Sequence, residues 1–122
     1  MPHILIEHGG DALADSEHVE PFLDAMVAIA AKANAITPAN VKMRALRHDH
    51  VRVAGKVAPF IHVTVSLMSG PSEDDLNQLA DLLFDGASTM CPNVEQVTVD
   101  IRAMNPVTYR KRARSPADEA AQ

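Results

Sequence analysis

The chain has 122 residues, 47% apolar and 22% charged, which fits a single folded domain and excludes a disordered chain. A net charge of −5 argues against a general nucleic-acid binder, and the lone cysteine, Cys91, excludes an intrachain disulfide framework and an all-cysteine metal site and fits a reducing cytoplasm. No apolar run approaches the ~20 residues that span a bilayer. The opening MPHILIEHGG has no basic segment and turns acidic at Glu7, so it is expected to belong to the folded domain and not to a signal peptide.

Six elements are expected in chain order. Residues 3–8 (HILIEH) form a short apolar strand that ends at Gly9-Gly10. Over 16–34, Val19, Phe22, Leu23, Met26, Val27, Ile29 and Ala30 recur at helical steps, with Pro21 acceptable only in the first turn. A long strand is expected over 41–53 and a β-branched one over 60–68 (FIHVTVSLM). Ser72, with Asp75 three residues on, caps a second helix that carries Leu76, Leu79, Ala80, Leu82, Leu83 and Phe84 and runs to about Met90. Residues 94–102 alternate as a last strand, with Val97, Val99 and Ile101 on one face.

The order β-α-β, β-α-β reads as one unit used twice, since Pro2-His3-Ile4 and Pro59-Phe60-Ile61 open the halves about 57 residues apart. The expected fold is α+β, built of α/β-type units. Two tandem β-α-β units form a four-stranded sheet with two helices on one face. A single domain is expected over 1–108, with repeat units of about 2–53 and 59–105 and a flexible charged tail over 109–122. The opposite sheet face is expected to be rich in Val and Ile, and to be covered by oligomerisation.

Pro2 is the residue with the most distinctive chemistry. A methionine followed by a small residue is normally removed, which leaves a free secondary amine on a rigid ring at the start of a buried strand. A terminal amine with a reference pKa of ~8 is ~10% neutral at pH 7, whereas a lysine at ~10.4 is under ~0.1% neutral. Burial and a nearby cation lower it further, toward the optimum for proton abstraction. A basic stretch lies downstream: Lys42, Arg44, Arg47, Arg52 and Lys56 fall between 42 and 56 with Asp49 as the only acid. Lys42 and Arg44 share strand parity and can face the same side. Their alternative role, with Arg47, is as protective charges on a solvated edge.

The opening Met1-Pro2-His3-Ile4-Leu5-Ile6-Glu7, with Val41-Lys42-Met43-Arg44-Ala45-Leu46-Arg47, Phe60-Ile61-His62-Val63-Thr64-Val65, Gly70, Ser72 and Leu82-Leu83-Phe84, resembles the tautomerase superfamily over roughly 2–105. Within it the resemblance is to the 5-carboxymethyl-2-hydroxymuconate isomerase family. It implies a cofactor-independent keto–enol isomerase in which Pro2 moves a proton within a 2-hydroxymuconate-type or related 2-oxo acid. It further implies a homotrimer with sites near subunit boundaries. An anionic small-molecule substrate requires cations, and Lys42, Arg44 and Arg47 are the candidates for substrate binding. Lys42 stands where the family commonly has arginine, and binds a carboxylate as a point charge without the bidentate fork; Gly70-Pro71-Ser72 stands where the family commonly has Gly-Arg-Ser, and that loss of a cation points to a smaller or less charged substrate.

Two alternatives remain open from the sequence. One keeps the fold and changes the reaction, to phenylpyruvate tautomerisation or hydration of an unsaturated acid. The other is a non-enzymatic ferredoxin-like domain that binds a small molecule or regulates, in which Pro2 has no special place. His48-Asp49-His50 has no third metal ligand at a recognisable spacing, and no metal, cofactor or membrane partner is expected. His62 is expected to be a hydrogen-bonded buried histidine, Glu7 a structural partner, and Cys91 a small core residue. Met26, Met43, Met68, Met90 and Met104 are expected to fill the core. The basic cluster Arg110-Lys111-Arg112 with Arg114 is read as a solvated tail.

Overall fold

In the computed structural model, which describes residues 2–114, the six elements form in the expected order with one short 3-10 turn added. They are β1 (His3–Gly9), α1 (Ser16–Ala30), the turn Pro38–Asn40, β2 (Lys42–His48), β3 (Phe60–Leu67), α2 (Glu73–Met90) and β4 (Gln96–Ala103). The sheet order is β2-β1-β3-β4, with β1 parallel to β2, β3 parallel to β4, and β1 antiparallel to β3. Each unit therefore closes on itself, because its two strands are direct neighbours. A ferredoxin-like domain splits each βαβ unit with an intervening strand, so that architecture is excluded.

Alternation along the strands sends the branched residues to one side. Ile4 and Ile6 of β1 and Ile61, Val63, Val65 and Leu67 of β3 are buried beneath Phe22, Met26 and Ala30 of α1 and Leu79, Leu83 and Ala87 of α2. Each large side chain buried in this way contributes about 1.5–3 kcal/mol relative to exposure. The helices meet closely at Gly86, where a Cβ would lie 2.6 Å from Ile29 Cδ1. Ser72 caps α2 by accepting from the Asp75 N–H at 3.1 Å, and Asp15 caps α1 by accepting from the His18 N–H at 3.2 Å.

The open face differs from expectation. The register places His3, Leu5 and Glu7 beside Lys42, Arg44 and Leu46 on one side, and beside Ser66, Thr64 and His62 on the other. Gln96, Thr98, Asp100 and Arg102 complete it from β4. Val and Ile are consumed by the helix side, so this face is mainly polar, with Leu5, Leu46 and Phe60 as its apolar members, and any covering must satisfy hydrogen bonds as well as bury carbon. His62 stands here half-buried, bonded through Nδ1 to the Thr98 hydroxyl, and is not a core histidine.

Four further expectations need correction. β2 ends at His48, opposite Gly9, because its only neighbour in the sheet ends there; residues 51–58 then form a hairpin bridged between Val53 and Lys56. α1 ends at Ala30, with 3-10-type bonds from Lys32 to Ile29 and Ala33 to Ala30 carrying the chain off axis. Pro21 lies in the second turn, tolerated because it is exposed and the Glu17 carbonyl it leaves unpaired sits on a solvent-facing residue. Met90, expected to fill the core, is exposed at the end of α2.

Candidate active site

One end of the sheet gathers the start of β1, the start of β2, the end of β3 and the segment after β4. His3 pairs with Lys42 on one side and Ser66 on the other, and Met104 N–H donates to the Leu67 carbonyl at 2.9 Å. Pro2 enters this end buried, its carbonyl accepting the Lys42 N–H at 3.0 Å, so strand pairing begins at the residue before β1. By alternation the Pro2 ring falls on the helix side with Ile4, while Lys42 and Arg44 stand on the open face of the neighbouring strand.

Of the predicted cations, two stand at this end and one does not. Lys42 Nζ donates to the Asn40 carbonyl at 3.0 Å, and Arg44 Nη1 donates to His3 Nδ1 at 3.2 Å. Arg47 leaves β2 on the helix side, paired in register with His8. Its Nη1 donates to the carbonyls of Leu13 and Ala14 at 3.3 and 3.4 Å, and its Nε lies 3.4 Å from Asp49 Oδ1. It fastens the β1–α1 loop at the far end of the sheet.

His3 and Tyr109 also meet at this end of the sheet, and nothing in the sequence singles out either. His3 Nε2 lies 3.1 Å from the Tyr109 hydroxyl, with the rings edge to face at 6.2 Å. A guanidinium only donates, so Nδ1 is the acceptor and Nε2 carries the hydrogen of a neutral imidazole. Burial, and then the charge of Arg44, hold the His3 pKa below its ordinary value, which agrees with a neutral ring. Tyr109 is brought back by a turn in which Asn105 Oδ1 accepts the Val107 N–H at 2.9 Å and the Asn105 carbonyl accepts the Tyr109 N–H at 3.1 Å. The Asn105-Pro106 step signals such a turn. Tyr109 was expected to open a loose tail; within that segment 109–114 are described, and 115–122 lie outside the described residues, as does Met1.

The second helix adds no cation to this end. Pro71 has no N–H, and the first turn of α2 carries Glu73, Asp74 and Asp75. The larger cavities lie at the other end of the sheet. One of about 620 Å³ is lined by Gly10, Leu13, Phe22, Pro59 and Cys91 among others. Another of about 500 Å³ is lined by Glu7, His48, His50 and Phe60. There Glu7 Oε2 meets His48 Nε2 at 2.8 Å, the structural pairing expected of Glu7. Cys91 packs against the core, and burial pushes its thiol pKa up. Among the described residues no group of three or more His, Cys, Asp or Glu is placed to hold a metal ion, and no helix is long and apolar enough to cross a membrane.

The fold is shared with several solved proteins. A 5-carboxymethyl-2-hydroxymuconate isomerase from Deinococcus radiodurans R1 superposes with a TM-score of 0.79 at 17% identity, covering 99% of this chain and 94% of its own. A fused 4-OT that forms a symmetric trimer gives 0.76 at 20% identity, covering 98% of each chain. Pt0534, inactivated by 2-oxo-3-pentynoate, gives 0.75 at 17% identity over 98% of this chain and 99% of its own. No curated protein sequence matches with significance. The family model for 5-carboxymethyl-2-hydroxymuconate isomerase matches residues 2–112, which spans both βαβ units and the Tyr109 turn. The chain belongs to the 5-carboxymethyl-2-hydroxymuconate isomerase family of the tautomerase superfamily, as an isomerase-type enzyme for a small 2-oxo acid.

Proposed function

We propose that the protein is a cofactor-independent keto–enol isomerase in which the Pro2 nitrogen, freed by removal of Met1, is the acid–base group. The observation that carries this reading is a proline buried at the head of β1 and tied through its carbonyl to β2, the strand that carries Lys42 and Arg44 on its open face. Burial and positive charge both favour the neutral amine, the form that accepts a proton. The amine takes the proton of the 2-hydroxyl group as the enol oxygen becomes a carbonyl. The electron pair of the diene then moves to a chain carbon, and the protonated amine delivers the same proton there. Atoms and charge balance, and the product is the 2-oxo isomer. Arg44 and Lys42 hold the anionic ends of the substrate and stabilise the enolate charge.

A 2-hydroxymuconate-type substrate fits the family and the cations. A monocarboxylate such as enol-phenylpyruvate is the second reading, favoured by Pro71 and the acidic first turn of α2, which leave that helix N-terminus without a cation. A homotrimer is the proposed assembly, supported by the symmetric trimer of the fused 4-OT.

The test is an ultraviolet assay of 2-hydroxymuconate and phenylpyruvate ketonisation, with intact mass to verify that Pro2 is the first residue. Pro2→Ala is expected to lose about 10²-fold or more in kcat. Full rate in that variant would remove Pro2 from the mechanism.

A further inference from the structure

We propose that Tyr109 and His3 form a positioning relay that sets the Arg44 guanidinium for the carboxylate of the substrate. The inference rests on the reading of a multiply anionic substrate above. The chain of contacts runs from the Tyr109 hydroxyl to His3 Nε2 at 3.1 Å and from His3 Nδ1 to Arg44 Nη1 at 3.2 Å. His3 presents an acceptor to Arg44 only while Nε2 carries its hydrogen, and the Tyr109 oxygen is placed to receive that hydrogen. Donation from Arg44 sets the tautomer, and the Tyr109 hydroxyl supports it by accepting the Nε2 hydrogen.

The choice of partner matters electrostatically. A carboxylate oriented against Arg44 would neutralise it, whereas a neutral imidazole fixes the side chain and leaves its charge for an incoming anion. Arg44 is otherwise exposed on the edge strand, where an arginine without a second tether loses rotamer freedom when it binds. The relay supplies that tether before substrate arrives. It also explains why the segment after β4 turns at 105–108 and folds back to the first residue of β1.

Calorimetric titration of the full chain with cis,cis-muconate isolates the binding role, because this dianion lacks the 2-hydroxyl and cannot ketonise. Tyr109→Phe keeps the ring and removes the acceptor. It should weaken muconate about 3- to 10-fold, the worth of one hydrogen bond, and produce no further loss in an Arg44→Ala background. With 2-hydroxymuconate as substrate the same change should raise KM and leave kcat within about twofold. His3→Asn, whose side-chain oxygen can replace Nδ1 as acceptor, should retain most of the affinity that His3→Leu loses. Equal losses in both backgrounds, an unchanged affinity in Tyr109→Phe, or a wild-type affinity that Arg44→Ala does not alter would overturn the relay. Pro2→Ala, assayed in parallel, separates the two readings: retained ketonisation would sink the proline base, while the muconate cycle would still decide the relay.

Discussion

Arg44 and Arg47, three residues apart on one strand, stand on opposite faces of the sheet: Arg44 reaches His3 on the open side, and Arg47 reaches the Leu13 and Ala14 carbonyls of the β1–α1 loop on the helix side. Their substitutions should therefore separate. Arg44→Ala is expected to raise KM for a dicarboxylate about tenfold or more, the scale of a lost charge-assisted hydrogen bond. Arg47→Ala should leave kcat/KM nearly unchanged while lowering Tm by about 2–8 °C, as the β1–α1 loop loses its fastening. Steady-state kinetics and a thermal melt on the two variants make the comparison, and an Arg47→Ala enzyme with the kinetic defect of Arg44→Ala would contradict the assignment of faces.

Lys42 faces the same side as Arg44 but directs its ammonium to the Asn40 carbonyl. An ammonium holds a carboxylate as a point charge, while a guanidinium offers two parallel donors. Lys42→Arg is accordingly expected to tighten muconate several-fold and to shift preference from phenylpyruvate toward 2-hydroxymuconate. Measured kcat/KM ratios for the two substrates test this; a ratio that does not move would show that position 42 has no part in choosing between one and two carboxylates.

The faces of the strands were legible because alternation is a local property: Val97, Val99 and Ile101 could only share a side, and Lys42 and Arg44 share theirs by the same parity. Ser72 with Asp75 likewise marked the head of α2 through a contact three residues long. What was hidden depends on partners distant in the chain. β2 stops where β1 stops, which no residue between 49 and 53 announces. The chain leaving α1 is held by Gln78, whose Oε1 accepts the Asn34 N–H at 2.8 Å. Tyr109 meets His3 across 106 residues, so the turn was readable at Asn105-Pro106 but its destination was not. The Val and Ile content correctly predicted a buried sheet side and misled about the other, since composition does not say how many faces share it.

His8 carries a stability cost that depends on pH. It is 2% exposed, and its Nδ1 has no hydrogen-bond partner among the described residues. Burial first, then the charges of Arg47 and His48, hold its pKa below the ordinary 6.5. Below that value the unfolded chain takes up a proton that the folded chain resists, so stability is full above about pH 6.5 and is lost as the pH falls toward the lowered folded value. His3 is shifted in the same direction and adds to the slope. Urea unfolding between pH 5 and 8 should show this decline. His8→Leu is expected to flatten it and to gain about 1 kcal/mol at pH 5.5 by removing a buried unpaired nitrogen. A decline of unchanged steepness in His8→Leu would assign the acid sensitivity elsewhere.

The hairpin after β2 holds a strained residue whose relief is measurable. Val53 and Lys56 exchange backbone bonds of 2.7 and 3.0 Å, and the two residues between them, Ala54 and Gly55, both have positive φ, 50° and 81°. That is the requirement of a type I′ turn, for which Asn-Gly is the preferred pair. Gly55 meets it without a Cβ, whereas Ala54 adopts a left-handed conformation that costs a non-glycine residue about 1–2 kcal/mol. Asparagine tolerates this conformation better than alanine does, so Ala54→Asn should stabilise the hairpin by about 0.5–1 kcal/mol. The gain should register as slower hydrogen exchange at the Val53 and Lys56 amides. The hairpin also carries Arg52 and Val53 into the cavity of about 500 Å³ beside Glu7 and His48, far from Pro2. Ketonisation by Ala54→Asn should therefore match the wild type; a change in kcat would instead couple this hairpin to the catalytic end of the sheet.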